Sequence, residues 1–121
     1  MDFKFWIRAG SLLMFLGVAA GAFGAHGLKT ALAPEMKQVY ETGVKYQIYH
    51  ALALFVVAGL AIKNPNRWVD SAGILFLVGI FLFSGSLYAL SLSGVRRIGL
   101  ITPFGGLAFL AGWVCLVASA F

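Results

Sequence analysis

The sequence predicts an all-α integral membrane protein: four transmembrane helices with a short amphipathic helix between the first and the second. Three observations predict it. Of the 121 residues, 61% are hydrophobic and 11% charged, with a mean hydropathy of +0.94; a soluble domain is nearer a quarter charged. The apolar residues gather into runs long enough to cross a bilayer. The charges gather between those runs, as they do in a multi-pass protein. A single membrane domain, residues 1–121, is expected, because four spans at this length leave no room for another.

The first span is expected over residues 5–25, FWIRAGSLLMFLGVAAGAFGA. A helix of that length rises about 32 Å, enough to cross the hydrocarbon. Lys4, Trp6 and Arg8 mark its interface. Gly10, Gly17 and Gly24 repeat every seven residues, and Gly17 with Gly21 forms a GxxxG, so this stripe lets another backbone come close. A signal peptide is the rival reading, with Lys4 and Arg8 as its basic region and Ala20-Gly21-Ala22 as a cleavage site. The three apolar runs that follow argue against it.

His26-Gly27 closes the first span, glycine being a common helix stop. Pro34 suits the first turn of the next helix. Over residues 34–45, Met36, Val39, Tyr40, Gly43 and Val44 follow helical spacing, with charged residues largely opposite, which predicts an amphipathic helix resting in the interface or running straight into the next span. Glu41 and Lys45 are a favourable pair at a spacing of four. The second span is expected over 46–62 and ends at Asn64-Pro65-Asn66, a turn signal. Lys63, Arg67 and Trp68 mark that interface.

The third span is expected over 70–92. Ser84, Tyr88 and Ser91 share one of its faces and should hydrogen-bond to a neighbouring helix, with a polar conduit as the sharper alternative. Two readings of the break that follows compete. The fourth helix either begins near Arg97 and kinks at Pro103, or begins with Thr102 as N-cap and Pro103 as first helical residue. The second is preferred, and gives a span over 103–121 that places Trp113 near mid-membrane, in packing rather than at an interface. Cys115, the single cysteine, lies inside this last run as a small apolar residue, and no intramolecular disulfide is available.

An even number of spans puts both termini on one side, with Lys4, Arg8, Lys63 and Arg67. The other side carries Lys29, Lys37, Lys45, Arg96 and Arg97. This near balance leans toward cytoplasmic termini and leaves dual insertion open. The net charge of +5 is spread over helix ends, which fits lipid headgroups and not nucleic acid.

Three segments in this order, GAFGAHGL at 21–28, YETGVKYQIYHALAL at 40–54 and SGSLYALSLSGVRRIGLITPFGGLAFLAGW at 84–113, resemble the YgdD/YwdK family of small bacterial membrane proteins, which has a eukaryotic transmembrane relative. The resemblance covers nearly the whole chain. It implies four membrane helices and residence in the inner or plasma membrane. The family is described as a domain of unknown function, so the resemblance implies no activity. The family-like positions include His26, Tyr46, Gln47, His50, Ser84, Ser86, Tyr88, Arg96, Thr102, Gly105, Gly106 and Trp113.

The expected topology gathers polar residues at one membrane face: His26, Gln47, His50, Arg96, Arg97 and Thr102. A helix start with free N–H groups beside an arginine is an anion site, so the favoured function is binding of a lipid headgroup or another anion by a membrane-organising protein. The alternative is a small transporter or channel subunit working as an oligomer. Against that alternative, no acidic residue lies within a span. An enzyme is not expected: GxSxG is absent, and two histidines without a placed carboxylate or thiol make a poor metal site. No metal or cofactor is expected. Partners are expected to be membrane lipids and, through exposed glycine faces that include Gly105 and Gly106, a second copy or another membrane protein.

Overall fold

The computed structural model describes all residues, 1–121. The fold is all-α, with four helical stretches long and apolar enough to cross a membrane: Phe3–His26, Pro34–Lys63, Arg67–Ser93 and Arg96–Ser119. The first is α1 (Phe3–His26) and the second α2 (Pro34–Lys63). The third is composite: α3 (Arg67–Gly79), a π-helical turn (Ile80–Ser84) and α4 (Gly85–Ser93). The fourth opens with a 3₁₀ turn (Arg96–Leu100) and continues as α5 (Thr102–Ser119).

Local chemistry sets the boundaries. Asp2 caps α1 by accepting from the Lys4 N–H at 3.3 Å. Pro34 opens α2 at a position where its missing N–H costs nothing. Asn66 caps α3, accepting from the N–H groups of Trp68 and Val69 at 2.9 and 3.2 Å. Gly94, at φ 74°, takes the left-handed conformation that ends α4, and its N–H donates to Leu90 O at 2.8 Å.

Packing pairs the helices. α1 lies along α2, α5 lies along α3, and α2 also borders α3 and α4. The recurring contact is an aromatic ring seated on a glycine of the next helix. Trp6 covers Gly73, Tyr40 covers Gly24, Phe109 covers Gly79 and Phe76 covers Gly112. At Gly105 the backbone of Phe83 itself comes close. Gly10, Gly17 and Gly21 turn toward residues of α2. The main core cluster, centred on Trp6, Leu54, Val57, Val69 and Phe76, fills the end of the bundle near the N-terminus. A smaller one, Leu28, Tyr40 and Val44, closes the other end.

Several expectations are corrected. Trp6 is not an interface anchor; it is fully buried, because Gly73 leaves room for its ring. Of the two readings of segment 34–45, the one that holds is that it runs straight into the second span as the first part of α2, since nothing between Lys45 and Tyr46 breaks the helix. Glu41 and Lys45 form no ion pair; the ion pairs are Met1–Asp70 and Arg96–Glu35. Thr102 is the first residue of α5 and not its N-cap, because the preceding 3₁₀ turn already has helical backbone. The glycine faces were expected to be exposed, and they meet other helices of the same chain instead, with Gly106 at the margin of Phe83.

The glycine seats make a stability prediction. A Cβ at Gly105 would overlap the Phe83 backbone, so Gly105→Ala should destabilise the bundle by about 1–3 kcal/mol, the usual cost of overpacking. Gly59 faces open space, and Gly59→Ala should be neutral or stabilising by up to about 1 kcal/mol. Unfolding in mixed detergent micelles reads both.

Candidate functional site

The polar chemistry of the bundle starts on one face of α2. Tyr40, Gly43, Gln47 and His50 follow spacings of three and four, and all are buried. Gln47, only 4% exposed, ties three helices together. Its Nε2 donates to Leu13 O of α1 at 2.8 Å, and its Oε1 accepts from the Tyr88 hydroxyl of α4 at 2.6 Å. One turn earlier, Gly43 O accepts from Ser84 Oγ at 2.7 Å. Tyr40 donates back to Ala20 O of α1 at 2.6 Å, with its ring 5.3 Å from that of Tyr88.

Further along the same face of α2, His50 meets α5. Its Nδ1 lies 2.8 Å from Tyr46 O, and Trp113 Nε1–H donates to its Nε2 at 3.1 Å. Nε2 is therefore the acceptor and Nδ1 carries the proton, so the imidazole is neutral in this arrangement. The ring stacks on Phe109 at 3.6 Å and 7°. Tyr46, one turn back, lies nearly parallel to both His50 and Phe109. A third link, Ser86 Oγ to Thr102 Oγ1 at 2.6 Å, joins α4 to the start of α5.

Beyond this interior, one end of the bundle is basic. His26, Lys29, Arg96 and Arg97 are exposed there. Arg96 Nη1 reaches Glu35 Oε1 at 3.3 Å, with both side chains largely exposed, so the pair is weak. Lys37 Nζ donates to Lys29 O at 3.1 Å, while Lys29 and Arg97 form no ion pair. At the other end the N-terminal ammonium sits 3.0 Å from both carboxylate oxygens of Asp70.

The six expected site residues therefore separate. Gln47 and His50 follow Pro34 by about 20 and 24 Å along the helix axis, well below the rim, and face different neighbours. Thr102 is engaged with Ser86. His26, Arg96 and Arg97 stay at the rim. The expected anion site at the helix start is closed by the 3₁₀ turn: Ile101 N–H donates to Ile98 O, Phe104 N–H to Ile101 O, and Pro103 has no N–H. What sequence reasoning missed are the partners of Gln47 and His50. The spacing of Tyr40, Gly43, Gln47 and His50 was a usable signal that all four share a buried face.

The family described as "Protein of unknown function (DUF423)" matches residues 20–106. The UPF0382 membrane protein YwdK of Bacillus subtilis is 48% identical over 118 residues, covering 97% of this chain and 96% of that protein. A UPF0382 membrane protein of Staphylococcus haemolyticus is 44% identical, covering 98% and 96%. The UPF0382 inner membrane protein YgdD of Escherichia coli K12 is 40% identical over 121 residues, covering 99% and 92%. No solved structure matches.

The Gln47–Tyr88 link is measurable by a double-mutant cycle. Interhelical hydrogen bonds in membranes average about 0.6 kcal/mol with a maximum near 1.7, so the coupling between Gln47→Leu and Tyr88→Phe should fall in that range. Gln47→Leu alone should cost more than Tyr88→Phe alone, because it also frees Leu13 O. Unfolding in micelles gives both terms.

Proposed function

The chain belongs to the DUF423 family of membrane proteins, and on that premise we propose that it binds anionic lipid headgroups at its basic rim and organises the membrane around it. The observation that carries this reading is the charge left over at that rim. Lys29, Lys37, Arg96 and Arg97 outnumber the carboxylates of that end, Glu35 and Glu41, and of the four bases only Arg96 is ion-paired. The length of α2 supports a place for these bases near the headgroups. Its 30 residues rise about 45 Å, some 15 Å more than the hydrocarbon. Measured back from Lys63, the hydrocarbon ends near residue 44, so the first ten residues or so of α2, with the turns beside them, stand at and just beyond the headgroup layer. Each exposed base there attracts anionic lipid by about 1 kcal/mol.

The interior polar groups favour this reading over a transport subunit. Gln47, Ser84, Tyr88 and His50 are each hydrogen-bonded to a neighbouring helix, an arrangement that suits tethering more than a hydrated path.

Native mass spectrometry of the protein with mixed phosphatidylglycerol and phosphatidylcholine tests the reading. Lys29→Gln with Arg97→Gln removes two unpaired bases, about 2 kcal/mol or roughly thirtyfold in preference for the anionic lipid. The preference should also weaken with salt. A preference that survives the double substitution unchanged would count against rim binding.

A further inference from the structure

On the outer side of the α1–α2 seam, away from α4, the two helices leave a shallow groove made of two hollows, parted where Ile48 packs against Gly17. Ser11, Met14, Val18, Gly21 and Ala25 of α1 follow three-and-four spacing and form one wall. Glu41 and Lys45 of α2 form the other wall at the first hollow, and Leu52 and Phe55 at the second. The deeper part is apolar, about 740 Å³, open to the lipid side and bordered by Phe15, Leu52 and Phe55. Toward the rim comes a mouth of about 210 Å³, where Gly21 and Gly24 withdraw side chains from Glu41 and Lys45. From Lys45 to Phe55 the helix rises about 15 Å, the depth of one leaflet of hydrocarbon.

The mouth is where the chain keeps two opposite charges apart. Glu41 and Lys45 are one turn apart, yet they make no ion pair with each other or with any other group. Both sit at the hydrocarbon boundary set by the length of α2. An anion and a cation within a few ångströms of each other, joined to an apolar chain that runs along the seam, would complement these two charges and the apolar hollow beyond them.

We propose that this groove holds one amine-bearing glycerophospholipid of the phosphatidylethanolamine type. Its phosphate accepts from Lys45 Nζ, its ammonium donates to the Glu41 carboxylate, and one acyl chain lies between Met14 and Val18 on one side and Leu52 and Phe55 on the other. The primary ammonium has N–H donors for the carboxylate and a quaternary choline does not, so the mouth distinguishes two headgroups of equal net charge. This deepens the lipid-binding reading by naming a lipid class. It uses residues that the rim does not, so either can fail alone.

The test is native mass spectrometry of the full chain titrated with phosphatidylethanolamine, phosphatidylcholine and phosphatidylglycerol of identical acyl chains. One bound phosphatidylethanolamine is expected in preference to phosphatidylcholine. Glu41→Gln should lower that preference about fivefold, the value of one charge at this depth, and Lys45→Gln should weaken both zwitterionic lipids. Val18→Trp, at an exposed position, should displace the chain and weaken both while leaving the charges intact. Phosphatidylglycerol binding at the rim should persist in Glu41→Gln and fall in the Lys29→Gln, Arg97→Gln protein. Equal retention of phosphatidylethanolamine and phosphatidylcholine by the unaltered chain overturns the proposal. So does phosphatidylethanolamine binding that neither Glu41→Gln nor Val18→Trp changes.

Discussion

The bundle depends on aromatic rings that close onto glycines of neighbouring helices. In lipid there is no hydrophobic gain in bringing two apolar helices together, because the tails are as apolar as the side chains. What remains is dispersion, which needs dense contact over many atoms. A flat ring against a bare backbone supplies that contact. The pairs Trp6–Gly73, Phe76–Gly112, Phe109–Gly79 and Tyr40–Gly24 together join α1 to α3, α3 to α5 and α1 to α2. Each ring also fixes where its helix stops sliding, so the same contacts set the register in which the polar groups meet.

That register explains why so few polar groups can be accommodated deep in the protein. Gln47 reaches Leu13 O and the Tyr88 hydroxyl at once only because α1 and α4 flank α2 at matching heights. His50 reaches Trp113 only because Phe109 lies flat against its ring. An interior amide or imidazole without such partners would be costly in hydrocarbon. Trp6 is the exception among these groups: its Nε1 is buried with no partner, and the ring is held by its contact with Gly73 and the surrounding core alone.

Fold class was legible because lipid imposes long apolar runs, and those need no partner to be recognised. The two ends of α2 were legible for a related reason: Pro34 and Asn64-Pro65-Asn66 act locally. The polar constellation was not legible in the same way. Gln47 and His50 were expected at the rim because they follow a polar stretch, but a helix that continues unbroken from Pro34 carries them well below it. The start of α5 was misread for a subtler reason. Thr-Pro is a good cap signal by itself, but Ser86 on another helix competes for the threonine hydroxyl, and the 3₁₀ turn supplies the backbone acceptors. Trp6 was misplaced because amphipathic aromatics favour interfaces on average, while the seat at Gly73 lies some seventy positions further along the chain.

The π-helical turn at Ile80–Ser84 is closed by the Gly85 N–H donating to Ile80 O, so it holds one residue more than an α-helical turn. Everything after it is phased by that extra residue. Removing it would rotate α4 by about 100° relative to α3, taking Tyr88 away from Gln47 and Ser86 away from Thr102 while the rings on α3 stayed in place. Substitutions here change one contact at a time, but a single-codon deletion changes all of them together. This stretch therefore tolerates a change of letter far better than a change of length, for a substitution leaves the phase intact and a deletion does not.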